Sequence, residues 1–159
     1  MLKILSGGQT GVDRAALDIA IEKGIAYGGW CPKDGWAEDF PHPPGLLARY
    51  ERLQETPLGD PMQRTEWNMR DADRLMVLLD RRGLTSTGTG RAILHAHALG
   101  KPLLVIDLDD SGASARASAW LDECRQSALT LCIAGPRESE APGIYAKACD
   151  FLRAVLDRI

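Results

Sequence analysis

A chain of 159 residues, 45% of them hydrophobic, is the size of one domain and can bury a core without disulfide or metal staples. Its 19 basic and 22 acidic side chains leave a net charge of −3, which excludes a nucleic-acid binder held mainly by counterion release but leaves room for a local basic pocket. The cysteines Cys31, Cys124, Cys132 and Cys149 lack CxxC spacing, no apolar run approaches a membrane span, and Met1–Leu5 is too short for a signal-peptide core, so a cytoplasmic protein with reduced thiols is expected.

In chain order, short apolar runs predict five strands, at Leu2–Leu5, Ile25–Trp30, Leu75–Leu79, Leu103–Ile106 and Leu129–Ala134. The first helix is expected over Asp13–Lys23, with Ala16, Leu17, Ala20 and Ile21 on one face and Gly24 suited to its left-handed cap. The stretch Pro32–Asp60, rich in Pro, Gly and charge, is long for a loop, and loops of that length are usually functional or disordered. Gln63–Asp73 is helical in spacing: Arg64, Asn68 and Asp71 share a face, and Glu66 and Arg70 form an i,i+4 pair. Further helices are expected at Arg91–Leu99, stopping at Gly100, and at Ala113–Gln126. The last carries a stripe of Ile144, Ala148, Phe151, Leu152, Val155, Leu156 and Ile159, the mark of packing on a sheet.

Alternating strands and helices of this length predict one α/β domain over residues 1–159, a Rossmann-like, doubly wound and mainly parallel sheet of about five or more strands with helices on both faces. Ligands in such folds sit beyond the carboxyl ends of the strands. Three loops lie there. Ser6-Gly7-Gly8-Gln9-Thr10-Gly11 runs from strand into helix, where free N–H groups and the helix dipole favour an anion, although its spacing is neither GxGxxG nor a P-loop. Thr85-Ser86-Thr87-Gly88-Thr89 repeats the arrangement, with Thr87 or Thr89 as the expected helix cap. Gly135-Pro136-Arg137 follows the last strand and brings a cation to the same edge.

The candidate ligand-binding set is completed by Arg14, by Arg64 and Asn68 as hydrogen-bond donors, and by Trp30, Cys31 and Lys33 at the mouth of the site. The bland readings are a tight turn, a solvated helix with ordinary ion pairs, and packing of Trp30. A carboxylate at Gly8 is expected to enter the anion cradle and abolish binding with the fold intact. Arg64→Ala is expected to weaken binding with little loss of stability. His95 and His97 stand two apart on a helix and so point in different directions, and Asp107, Asp109 and Asp110 lack the EF-hand pattern; no metal site and no catalytic residue is expected.

Ser6-Gly7-Gly8-Gln9-Thr10-Gly11-Val12-Asp13-Arg14-Ala15, Gly28-Gly29-Trp30-Cys31-Pro32, Arg64-Thr65-Glu66-Trp67-Asn68 and Ala134-Gly135-Pro136-Arg137-Glu138-Ser139 together resemble the molybdenum carrier family, related to the cytokinin-activating phosphoribohydrolases. The resemblance runs through nearly the whole chain. It implies a homo-oligomer, dimer or tetramer, that binds molybdenum cofactor as cargo, a pterin with dithiolene-bound molybdenum and a terminal phosphate. Such a carrier protects its cargo and hands it to molybdoenzymes, or receives it from cofactor-biosynthesis proteins, without catalysis and without a catalytic cofactor. It also sets Trp30 or Trp36 beside the pterin ring.

The competing class is a phosphoribohydrolase acting on nucleoside monophosphates. Those relatives carry PGGxGTxxE. Here Gly88-Thr89 matches the GT, Thr85 and Ser86 replace the paired glycines, and Ala92 stands where the glutamate belongs. Alanine can be neither acid nor base, so hydrolysis would need Asp13, Glu38 or Glu66 as substitute. A nucleotide-sensing module is the third reading, because the same loops suit any phosphate.

Overall fold

The computed structural model describes residues 1–81, 86–124 and 127–157. Leu84 and Thr85, the end of the expected helix at Gln126, and Ile159 lie outside the described residues. Within them the elements are β1 (Leu2–Leu5), α1 (Val12–Glu22), β2 (Ala26–Cys31), α2 (Leu46–Arg49), β3 (Leu53–Glu55), α3 (Pro61–Asp71), β4 (Arg74–Leu79), α4 (Thr87–Ala98), β5 (Leu103–Asp107), α5 (Ala113–Asp122), β6 (Leu129–Ala134) and α6 (Ile144–Leu156).

The strands form one six-stranded sheet in the order β3-β2-β1-β6-β4-β5, every pair parallel. The doubly wound α/β expectation holds, and the sheet has one strand more than the five apolar runs predicted. That strand, β3, lies inside Pro32–Asp60. Only Leu53 of its three residues is buried, so it offers no apolar run to read. The whole stretch is structured rather than an open loop, with a 3-10 turn at Lys33–Gly35, an Ala37–Phe40 bridge, α2 and β3.

Successive strand residues alternate between two layers. Ile4, Met76, Leu78, Ile106, Leu131 and Ile133 meet α1, α5 and α6 on one face, while Leu5, Leu75 and Cys132 meet α3 and α4 on the other. Each fully buried aliphatic side chain stabilises the fold by about 1.5–3 kcal/mol over exposure. A third cluster of Leu17, Cys31, Ala37, Leu46, Tyr50 and Leu53 pins the 32–55 stretch against α1 and β2.

Local chemistry fixes the helix ends near the carboxyl edge. Asp60 caps α3, its carboxylate accepting from Met62 N at 2.9 Å, and Pro61 fills the first position, where no N–H is needed. The Lys101 ammonium donates to the carbonyls of Met69, Arg70 and Ala72 and closes the other end of α3. α4 begins at Thr87, a turn before the expected Arg91, and its cap is Ser86 rather than Thr87 or Thr89: the Ser86 hydroxyl accepts from Thr89 N at 3.2 Å. Gly24 and Gly100 close α1 and α4 with φ of 64° and 63°, as their positions predicted. The Glu66–Arg70 pair does not form; Arg70 turns to Asp71 at 2.7 Å and lies against the Trp67 ring. Among the described residues no helix is long and apolar enough to cross a membrane.

Candidate functional site

The chain winds outward from β1 through β2 to β3, returns to place β4 and β5 on the far side, and finally inserts β6 between β1 and β4. That reversal opens a crevice at the carboxyl ends of β1, β6 and β4, the position at which open α/β sheets take ligands. A cleft of about 310 Å³ occupies it, lined by Asp13 of α1, by Asp60, Pro61, Met62, Arg64 and Thr65 of the α3 entry, by Ser86, Thr87, Gly88, Thr89, Arg91 and Ala92 of the α4 cap and first turns, and by Ala134, Gly135, Arg137 and Glu140. A larger and more open groove, about 730 Å³, lies at the opposite end of the strands among Leu2, Lys23, Gly24 and Asp157. It lies at the turns that lead into the strands, away from the helix N-termini that the cleft collects.

The cleft floor is an ion pair. Asp13, in the first turn of α1, accepts a hydrogen bond from Arg64 Nη1 at 2.5 Å, and both residues are buried. Burial pushes the Asp13 carboxyl above the ordinary carboxylate range against the pull of Arg64 and of the Gln9 backbone N–H. Arg64 lies across Gly7 so closely that any side chain there would collide with its guanidinium. Its Nε is buried and has no hydrogen-bond partner among the described residues. A buried donor left unpaired costs about 1–3 kcal/mol. The arginine that carries it lines the cleft.

The walls add positive potential. Thr87 and Gly88 are exposed at the N-terminus of α4, whose helix dipole points its positive end into the space. Arg137, half-buried on the β6–α6 loop, forms no ion pair with a described residue, and Arg91 stands on the first turns of α4. The lining carboxylates are largely spoken for: Asp13 by Arg64, Asp60 by the α3 cap, and Glu140 by the Arg137 N–H at 3.0 Å. Ala92, nearly fully buried, lies in the wall.

Of the residues singled out in the sequence, the structure brings Arg64, Ser86, Thr87, Gly88, Thr89 and Arg137 into the cleft. Thr85 lies outside the described residues. The others stand behind or beside it. The Ser6 hydroxyl donates to Ile133 O at 2.9 Å. Gly8, at φ 72°, turns toward Leu46, Leu53 and Leu17, so an added side chain would enter an apolar cluster rather than an anion cradle. Gln9 Oε1 accepts from the backbone N–H groups of Thr10 and Glu38; the Thr10 hydroxyl donates to Glu38, and Gly11 O receives Ala15 N at the start of α1.

Arg14 holds Asp39 through both terminal nitrogens, at 2.8 and 2.9 Å, and Gly8 O through Nε at 3.0 Å, which straps the glycine loop to the 38–40 segment. Asn68 is saturated: its amide spans Trp30 N and Trp30 O at 2.8 Å each and also reaches Arg64 O. Trp30 itself donates to Asp71 and packs edge-on against Trp67. Cys31 is fully buried, and desolvation pushes its thiol up to about 11. Lys33 lines a separate hollow beside Trp36.

Sequence reasoning missed Asp60, Thr65, Arg91 and Glu140 as cleft residues and met Asp13 only as a substitute acid. Asp13 did carry a signal, being a carboxylate on the same turn as the buried Val12, Ala15 and Ala16. Of the three substitute acids, Asp13 alone reaches the cleft, and it arrives already paired.

The sequence matches the circularly permutated YpsA SLOG family over residues 4–156. The fold is similar to the crystal structure of a protein from Syntrophus aciditrophicus SB named "putative molybdenum carrier protein", with a TM-score of 0.80 and 37% sequence identity over 97% of this chain and 94% of that one. No curated protein matches.

Proposed function

The chain belongs to the circularly permutated YpsA SLOG family, and from that premise we propose that it binds, shields and passes on a phosphate-bearing molybdenum compound, the molybdenum cofactor, rather than transforming it. The observation that carries the reading is the buried, unpaired Arg64 Nε at the cleft, beside the N-terminus of α4. A tetrahedral oxyanion seated there accepts from the Arg64 guanidinium, from the N–H groups at Thr87 and Gly88 and from Arg137, and so gives a partner to a guanidinium that keeps one N–H unpaired among the described residues.

The donor set fits a phosphate or a molybdenum oxyanion equally. The name of the similar protein favours molybdenum cargo. Ala92 stands in the wall, and Asp13, the buried carboxylate among the described lining residues, is already paired with Arg64, which favours a carrier over a hydrolase. In this reading Ser86 and Thr89 hold the α4 turn in place. Ser6, Gly7, Gly8, Gln9, Thr10, Gly11, Arg14, Trp30, Cys31 and Asn68 shape the cleft from behind. The protein works in the reducing cytoplasm, in keeping with its four free cysteines, as one domain that assembles into a homo-oligomer and exchanges cargo with molybdoenzymes or cofactor-biosynthesis proteins.

The test is mass spectrometry with metal analysis on protein purified anaerobically, paired with calorimetric titration by molybdenum cofactor, molybdate, inorganic phosphate and nucleoside monophosphates. Bound pterin with near-stoichiometric molybdenum is the expected result. Nucleotide without molybdenum would overturn the carrier reading in favour of a nucleotide sensor or hydrolase.

A further inference from the structure

The donors of the cleft do not tell one tetrahedral oxyanion from another; an acceptor on its floor does. Asp13 lines the same space as Arg64, is buried, and accepts from its Nη1 at 2.5 Å. Two acceptors on one guanidinium stand within about 4–6 Å of each other, the range in which like charges suppress one another's ionisation. Because Asp13 is buried, salt and water screen that repulsion weakly.

The charge of the described lining is balanced before any ligand arrives: Asp13, Asp60 and Glu140 stand against Arg64, Arg91 and Arg137. A dianion therefore meets a floor whose cation, Arg64, is already matched by Asp13, and a proton between the carboxyl and the oxyanion relieves the closest repulsion. The groups that face Asp13 leave that proton no other place. Arg64 of α3 and Arg14 of its own helix stay charged, the Gln9 N–H is a fixed donor, and Cys132 of β6, its thiol pushed up to about 12 by burial, stays neutral.

We infer that Asp13 is the specificity-determining residue of the cleft: it and the bound oxyanion hold one proton between them, so the site prefers hydrogen phosphate or a phosphate monoester, which carries a proton near neutral pH, over sulfate or molybdate, which does not. The O–H of hydrogen phosphate donates to the Asp13 carboxylate, and no proton is exchanged with solvent. A fully ionised oxyanion binds as Asp13 takes one proton from the buffer, and the Asp13 O–H then donates to it. The inference rests on the anion reading of the cleft.

Inorganic phosphate and sulfate, alike in shape, differ in that proton and are the probes. Calorimetric titration of the full chain from about pH 7.5 to about pH 8.5 should show sulfate affinity falling by about tenfold per pH unit, the linkage of one proton, while phosphate affinity stays nearly constant because hydrogen phosphate keeps its proton throughout. At the upper end phosphate should bind at least roughly tenfold more tightly than sulfate. Sulfate titrations there in buffers of different ionisation enthalpy should count about one proton taken up per anion bound, and phosphate titrations about none.

Asp13→Asn keeps an acceptor for Arg64 and puts an amide donor in place of the titrating oxygen. Read below its own melting temperature, it should bind sulfate at least as tightly as phosphate, with no pH dependence. The proton count on the wild type stands whether or not that variant folds. Equal wild-type affinities for the two anions without proton uptake, or a phosphate preference that survives Asp13→Asn, would overturn the inference and leave the anion cleft standing. Failure of both anions to bind would overturn both.

Discussion

Asp13 and Arg64, fifty-one residues apart in the chain, meet at 2.5 Å beneath the cleft with the backbone of Gly7 pressed under the guanidinium. The pair joins three requirements: a carboxylate in the first turn of α1, an arginine one turn into α3, and a residue without a side chain between them. None of the three is replaceable alone.

Arg64→Ala is accordingly expected to cost stability as well as binding, where the sequence alone led to an expectation of little loss of stability. Removing one partner of a buried pair leaves the other charge uncompensated and costs about 3–5 kcal/mol. Thermal and urea unfolding should register that loss, and the double variant Asp13→Ala/Arg64→Ala should recover part of it. An unchanged melting temperature in the single variant would place Arg64 on the surface.

Arg137→Ala separates binding from folding. The side chain is half-buried and makes no ion pair with a described residue, so melting should shift little while phosphate affinity drops about tenfold to a hundredfold, the loss of one charge-assisted hydrogen bond. Unaltered affinity by calorimetry would remove Arg137 from the site.

Gly8→Asp should fail to fold rather than fold without ligand. Its side chain would point at Leu46, Leu53 and Leu17 from a backbone at φ 72°, and a carboxylate unpaired among leucines, added to the left-handed strain, costs more than about 4 kcal/mol. Gly8→Ala, with strain and crowding alone, should lose roughly 1–2 kcal/mol and remain soluble. A well-folded Gly8→Asp with abolished binding would restore the cradle reading.

Asn68→Ala should destabilise the join between α3 and β2 by about 1–3 kcal/mol, because the Trp30 backbone loses both of its partners there. Phosphate affinity, measured below the shifted melting point, should stay within about twofold, since the amide is saturated by protein groups. A large affinity loss with unchanged melting would make Asn68 a ligand donor.

The Arg14–Asp39 strap gives the acid limb of stability a defined sign. The two-pronged hydrogen bond from Arg14 holds the Asp39 carboxyl below the ordinary carboxylate range. The unfolded chain therefore binds that proton more readily, so the contribution is present above the unfolded pKa and is lost as pH falls through the folded one. Melting temperatures of the wild type and Asp39→Asn from pH 7 down to pH 3 should converge at the acid end. Parallel curves would mean that the strap carries no linkage.

The fold was legible where periodicity dominates. Leu2–Leu5 and Leu129–Ala134 announce themselves as short apolar runs because helices cover both faces of the sheet, and the α6 stripe does so because every third to fourth residue must leave water. β3 did not, because its pairing with β2 rests on backbone hydrogen bonds and a single buried leucine. At the site, residue types were readable and directions were not. Gly7 and Gly8 are adjacent and both needed, one for a guanidinium arriving from α3 and one for a leucine cluster arriving from α2 and β3, and no local pattern encodes either neighbour. Asn68 and Arg64 share a helical face as expected, yet that face looks at β2 and α1, and only the arginine reaches past them to the cleft.

The position of β6 bears on how the chain comes to be folded during synthesis. The sixth strand to be made is an interior one: residues 129–134 pair with β1 on one edge and β4 on the other. Before they are made, neither β1–β3 nor β4–β5 has its native partner along that edge, and unpaired parallel edges of this kind are the ones that pair with other chains. Pairing of β6 with both neighbours also places Gly135 and Arg137, which follow it directly, so the join between the two halves of the sheet and one wall of the cleft are made by the same strand.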